Sequence, residues 1–137
     1  MTMMKIFDVS GSGVSAQAQR LNTIASNLAN ADSVAGPDGK AYKARHTLFQ
    51  THIRDAADPT TAGVRVARIV EDESEGRKVH DPKHPLADAD GYVTMPNVNV
   101  VDEMVNMISA SRSYQSNLEV MNTAKTLLAK TLGLGSN

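Results

Sequence analysis

His80 and His84 stand four residues apart in VHDPKHPLADADGYV, residues 79–93. At that interval two imidazoles share one helix face and can hold a zinc ion between them. The neighbouring residues deny the helix: Pro82 follows Asp81 and Pro85 follows His84, and a proline lacks the amide donor and pushes the residue before it away from helical geometry. Asp88 and Asp90 ahead of Gly91 resemble the opening of a calcium loop, but the glycine falls two positions early and no bidentate acid follows at the required offset. This composition describes a tight turn. Gly11-Ser12-Gly13 has neither a preceding strand nor the third glycine of a phosphate cradle. Ser, His and Asp all occur, yet no strand-Ser-helix elbow pairs a nucleophile with a base. No catalytic centre, metal, cofactor or small-molecule substrate is expected.

The elements around these residues say more than the residues do. The chain has 137 residues with 4% aromatics and no Trp, enough for one domain with a thin core. Its formal net charge of -1 provides no basic field for nucleic acid or anionic lipid. Cysteine is absent, so neither disulfides nor thiolate chemistry are available. No apolar run is long enough to span a bilayer, and the opening MTMMKIFDVSGSG has no apolar core or cleavage site of a secretory signal, so any passage out of the cytoplasm is expected without signal cleavage.

Charge is segregated: of 29 charged residues, 20 lie between positions 31 and 97. The two poorly charged ends carry helical periodicity. Val14, Ala18, Leu21, Ala25 and Leu28 step by four and three alternately, as along a coiled-coil seam. Met107, Tyr114, Leu118, Met121, Leu128 and Leu132 fall on a similar frame, with Ser111 and Lys125 at its remaining positions. Pro96 bars an earlier start, Asn99 is a good N-cap with Asp102 three residues on, and Gly133 and Gly135 follow the last apolar residue. A helix over about 99–132 follows. The first helix, over about 10–30, contains Gly11 and Gly13, each costing about 1 kcal/mol, so its opening turns are expected to bend or fray.

Between the helices, residues 43–53 and 64–70 read as short strands whose alternation breaks at Ala67 and Arg68, and a last short strand is expected at Tyr92 and Val93. The fold class is α+β. Long N- and C-terminal helices (1–33 and 98–137) pair as an antiparallel coiled-coil-like hairpin, with a loop and β-rich module over 34–97.

A plain hairpin buries one stripe of each helix and leaves the rest in water. Here those outer faces are neutral: Arg112 is the only charge from Met104 to Leu118, and Arg20 the only one from Val9 to Ala31. Ser, Asn, Gln and Ala are cheaper to desolvate than Lys or Glu, and they let helices approach closely. The ends are therefore expected to complete their core only in an assembly. A self-contained hairpin acting as a soluble adaptor for a single partner helix is the alternative.

SAQAQRLNTIASNLANADS, Ser15 to Ser33, is similar to the shared signature of the axial family of bacterial flagellar proteins, which includes the rod proteins and the hook. Asn27, Leu28, Ala29 and Asn30 are its most recognisable part. GPDGKAYKA at Gly36 to Ala44, HPLADADGYVTMPNVNVVDEMVNMISASRSYQ at His84 to Gln115 and NLEVMNTAK at Asn117 to Lys125 resemble one rod protein of that family. Residues from about Gln50 to Lys78 match no motif, and the opening at Gly11 to Gly13 carries one glycine more than the family leads one to expect.

The resemblance implies a structural subunit of the basal-body rod. It implies helical stacking with copies of itself and with other rod proteins (FlgB, FlgF, FlgG and FliE) into a hollow periplasmic shaft that transmits motor torque. It also implies export by the flagellar type III apparatus with the N-terminus retained. On both grounds the subunit interface is expected at Val14, Ala18, Leu21, Ile24, Ala25, Asn27, Leu28 and Asn30 of the first helix. Met104, Met107, Ile108, Tyr114, Leu118, Met121 and Leu128 are its expected counterparts in the second.

Overall fold

The structure is a computed structural model that describes residues 3–136. Helix α1 runs from Met3 to Ala29 and helix α2 from Val100 to Gly135. At 1.5 Å per residue they are about 40 and 54 Å long. They are antiparallel: Gly11 faces Met121, Gly13 faces Asn117, and Asn27 reaches Glu103. In this register every residue from Ala129 to Ser136 is exposed.

Local chemistry accounts for the α2 start. The Asn99 side chain accepts from the Asp102 amide at 3.2 Å, and Asp102 and Glu103 place acid in the first turn, where the helix dipole favours it.

The opening of α1 departs from expectation, because the helix continues through both glycines. Gly13 is buried, and a Cβ built on it would lie 2.8 Å from the Asn117 amide carbon and oxygen. The glycine brings the helices into contact, and packing outweighs its weak propensity. The seam phase also differs. Ser10, Gly13, Ala16, Thr23, Ile24 and Asn27 are the buried residues of α1, and Glu103, Ala110 and Ala124 those of α2.

On α1 the buried positions 13, 16, 23, 24 and 27 thus fall one or two residues before the apolar frame of 14, 18, 21, 25 and 28. On α2, Met107, Tyr114, Met121 and Leu128 are half-buried in phase with Glu103, Ala110, Asn117 and Ala124. Ser111, Leu118, Lys125 and Leu132 each follow those partners by one position or by a full heptad plus one, off the most buried line.

The middle of the chain forms two antiparallel hairpins. Strand β1 (Arg45–His52) pairs with β2 (Gly63–Glu71), and β3 (Lys78–His80) pairs with β4 (Tyr92–Thr94). Leu48 faces Arg68 and Phe49 faces Val66, which leaves Ala67 as a bulge, so the broken alternation in the sequence records an extra residue in one strand. β3 lies at the end of the segment that carried no motif.

The expected turn is present: Gly91 has φ +83°, and Asp88 Oδ1 accepts from the amides of Asp90 and Tyr92 at 2.9 Å each. His80 packs edge-on against Tyr92 at 4.9 Å between ring centroids, and His84 Nδ1 accepts from the Leu86 amide. Among the described residues no cluster of His, Asp or Glu is arranged to hold a metal ion, and no helix is long and apolar enough to cross a membrane.

Ion pairs Lys5 to Asp58 (3.3 Å) and Arg54 to Asp8 (3.4 Å) fasten the loop between β1 and β2 to the start of α1. Hydrogen bonds from Thr60 and Lys5 hold the Asp58 carboxyl below the usual aspartate range. Val64 donates its amide to Ser12 Oγ at 3.0 Å, a second tie between this hairpin and α1.

Gly13→Ala should lower stability by about 1–3 kcal/mol through overpacking against Asn117 despite its better helix propensity. Adding Asn117→Ala should reverse the sign. Urea melts of the three variants check this, and a Gly13→Ala chain more stable than the parent would dismiss the close approach.

Candidate assembly interface

The residues expected at the interface separate into three groups. Ile24 is 4% exposed and Asn27 is 0% exposed, so both are spent inside the chain. Their placement is a correction to any direct contact between them and a neighbour in this fold. The physical reason is the one-residue shift in seam phase.

Asn27 is the centre of the inner contact. Its amide Nδ2 donates to the Arg45 carbonyl at 2.8 Å and to Glu103 Oε2 at 3.0 Å. Its Oδ1 accepts from the Tyr42 hydroxyl at 2.8 Å and from the Arg45 amide at 2.9 Å. Two donors and two lone pairs are all an asparagine side chain has, and all four are used. α1, α2 and the start of β1 meet on this one group. Asn106 donates to the other Glu103 oxygen at 3.4 Å, so the buried carboxylate is met from two sides.

Next to it Asn97 performs the same service for the hairpin base. It accepts from the Ala44 amide at 2.7 Å and donates to the carbonyls of Asp72 (2.8 Å) and Ser74 (2.9 Å). Tyr42, Glu103 and Asn97 were not singled out as site residues by sequence. Glu103 left a periodicity signal, standing four before Met107 on the same helix line, and all three fall within the stretches that resemble the rod protein.

The second group lies along the borders of the helix pair. Val14, Ala18, Leu21 and Leu28 on α1 and Asn30 just past its end are half-buried, as are Met107, Tyr114, Leu118, Met121 and Leu128 on α2. The α1 frame that is most regular in the sequence therefore flanks the intrachain seam rather than filling it. Gln17, which does point inward, has its Oε1 buried without a partner.

The third group is open to solvent: Ala25 on α1, and Met104 and Ile108 on α2. Val101 and Val105 join the last two, and the spacing 101, 104, 105, 108 puts all four on one helix face. Each is more than half exposed. A contiguous apolar face of this kind, bordered by Ser and Asn, has the composition of a contact surface.

The fold is a two-helix core with a small β module, and comparison with known families specifies the class of protein. A family profile described as "Flagella basal body rod protein" matches residues 7–37, and one described as "Flagellar basal body rod FlgEFG protein C-terminal" matches residues 89–134. These define the class: a structural, non-enzymatic protein of the flagellar basal-body rod.

The chain is 59% identical to "Flagellar basal-body rod protein FlgC" of Yersinia enterocolitica, with 98% of this chain and 99% of the relative covered. Identity to the proteins of the same name from Escherichia coli O6:H1 and Salmonella typhimurium is 56% and 55%, with the same coverage. The chain belongs to the FlgC family of flagellar basal-body rod proteins.

Asn27→Ala should cost about 2–4 kcal/mol, because it strands the Arg45 backbone groups and the Tyr42 hydroxyl and leaves Glu103 without its closest donor. Denaturant unfolding measures it. A loss under about 0.5 kcal/mol would mean that the four hydrogen bonds do not hold the junction.

Proposed function

We propose that this chain packs through its helix flanks against copies of itself and other rod proteins, FlgB, FlgF, FlgG and FliE, to build a hollow torque-transmitting shaft in the periplasm. The observation that carries the reading is the position of its two apolar stripes. Val14, Leu21 and Leu28 lie beside the intrachain seam, and Val101, Met104, Val105 and Ile108 are exposed. Burial of each large side chain in full is worth about 1.5–3 kcal/mol. Torque would then pass through interlocked packing, with the expected interface residues Val14, Ala18, Leu21, Ala25, Leu28, Asn30, Met104, Met107, Ile108, Tyr114, Leu118, Met121 and Leu128 in the contact zone. Ile24 and Asn27 act from inside by fixing the seam phase that turns these residues outward.

Met104→Asp combined with Ile108→Asp alters only exposed positions, so the isolated chain should keep its helix content by circular dichroism. In cells lacking the native copy the same variant should give no swimming halo and no complete basal bodies by electron microscopy. Wild-type swimming would remove this face from the assembly and favour the adaptor reading.

We further infer export by the flagellar type III apparatus with the N-terminus retained. The start of α1 belongs to the fold, with Lys5 engaged by Asp58 and Asp8 by Arg54. Intact-mass measurement of the protein extracted from purified basal bodies should return the uncleaved chain. A mass short by a leader segment would overturn this.

A further inference from the structure

A two-stranded ribbon has two outer edges, and those of β1 and β2 differ. In an antiparallel pair, alternate residues turn both backbone groups toward the partner strand, and the residues between them turn both groups outward. Arg45 is an outward residue, because its N–H and C=O are both bonded to the Asn27 amide, which stands where the peptide group of a next strand would. The alternation makes Thr47, Phe49 and Thr51 outward as well. Among the described residues no bond reaches the outward backbone groups of these three. Phe49 and Thr51 are exposed and Thr47 is half-buried.

The edge of β2 is guarded. The bulge at Ala67 interrupts its alternation, the exposed Arg65 and Arg68 flank that bulge, and Ser12 Oγ already takes the Val64 amide. Bulges and charges of this kind keep a strand edge from pairing with other chains. β1 lacks such a guard, since Thr47 to Thr51 reads TLFQT, with no charge and no proline.

There is also room beside β1. A cavity of about 300 Å³ opens there, walled by Thr47 and Phe49, by Arg20 and Ile24 of α1, and by Glu103 and Asn106 of α2. The oxygens of Glu103 are met by Asn27 and Asn106. Arg20 is half-buried and, among the described residues, has no acidic partner. A guanidinium so placed is a seat for a carboxylate.

We infer that the edge of β1 is a strand-addition site. An extended segment of a different protein pairs with the outward groups of Thr47, Phe49 and Thr51 and sets an Asp or Glu side chain on Arg20. The backbone groups recognise extended polypeptide, and Arg20 selects the acid. A second copy offers no matching strand: its β1 edge brings no acid, its β2 edge is bulged, and β3 and β4 are three residues each. The inference rests on the assembly reading above, which makes the partner another component of the flagellum, but the contact lies on the β module and not on the apolar helix flanks.

Hydrogen exchange of the purified chain, followed by NMR, tests whether the edge is open. The amides of Thr47, Phe49 and Thr51 should exchange at least about tenfold faster than those of His46 and Gln50. Equal protection would overturn the inference. Proline at an outward position removes only a donor that the ribbon does not use. Thr47→Pro and Thr51→Pro should therefore keep the parent's circular dichroism yet shrink the swimming halo severalfold, whereas Thr47→Val and Thr51→Val, which retain the N–H, should swim like the parent. A folded proline variant with normal swimming, or equal loss with valine, would overturn strand addition and leave the rod role untouched. Absence of the parent chain from purified basal bodies would instead defeat that role.

Photo-crosslinking needs no proline. With p-benzoylphenylalanine in place of Phe49, basal bodies should yield an adduct to a segment of another protein that contains Asp or Glu, and Arg20→Glu should cut its yield severalfold. An adduct between two copies of this chain, or to a segment without an acid, would overturn the choice of partner.

Discussion

A buried amide with every hydrogen-bonding position occupied is a strong geometric constraint, because moving any partner leaves a polar group unpaired where water cannot compensate. Asn27 imposes that constraint at the junction of α1, α2 and β1. Little else in the interior is large enough to do so. Among the described residues the buried apolar ones are Ala16, Ala31, Ala35, Ala44, Ala110 and Ala124 with only Ile24 and Val93 of any size, and the largest fully buried side chains are Asn27 and Pro96. Alanines allow close approach but give shallow, poorly distinguished packing minima. Directional bonds from Asn27 and Asn97 supply the missing specificity, and Gly13 against Asn117 supplies the closeness.

The same economy explains the outer surface. Since small and polar residues fill the inner seam, the larger apolar side chains of both helices are left on the flanks or in solvent. For a free monomer this distribution wastes burial. In the proposed rod packing the strongest apolar contacts lie between molecules, where they add stability only once neighbours are present. The β module stands apart from this division. Charged, and joined to α1 by Lys5 to Asp58, Arg54 to Asp8 and the Ser12 contact to Val64, it enters the seam only where the Arg45 backbone meets Asn27.

Much of this was legible along the chain because it depends on neighbours in sequence. Helix periodicity at both ends, the Pro96 and Asn99 start of α2, the turn at Asp88 to Gly91 and the interruption at Ala67 each arise from local stereochemistry. The family resemblance likewise picked out Asn27, though as part of a signature rather than as a saturated buried amide. Four features were not legible: the continuation of α1 through Gly11 and Gly13, strand β3, the role of Glu103, and the one-residue phase shift of the seam. Each requires a partner far away in sequence, Asn117 for Gly13, Tyr92 to Thr94 for β3, and Asn27 for Glu103.

By itself, then, the sequence determined that two neutral helices flank a charged β module, since periodicity, capping and charge act over a few residues. Which side of α1 faces inward was decided only by the tertiary structure. Hydrophobic pattern alone favours the line through Val14, Leu21 and Leu28. Glycine contact and the four bonds of Asn27 favour the line one residue earlier, and those interactions have no energy until the helices meet.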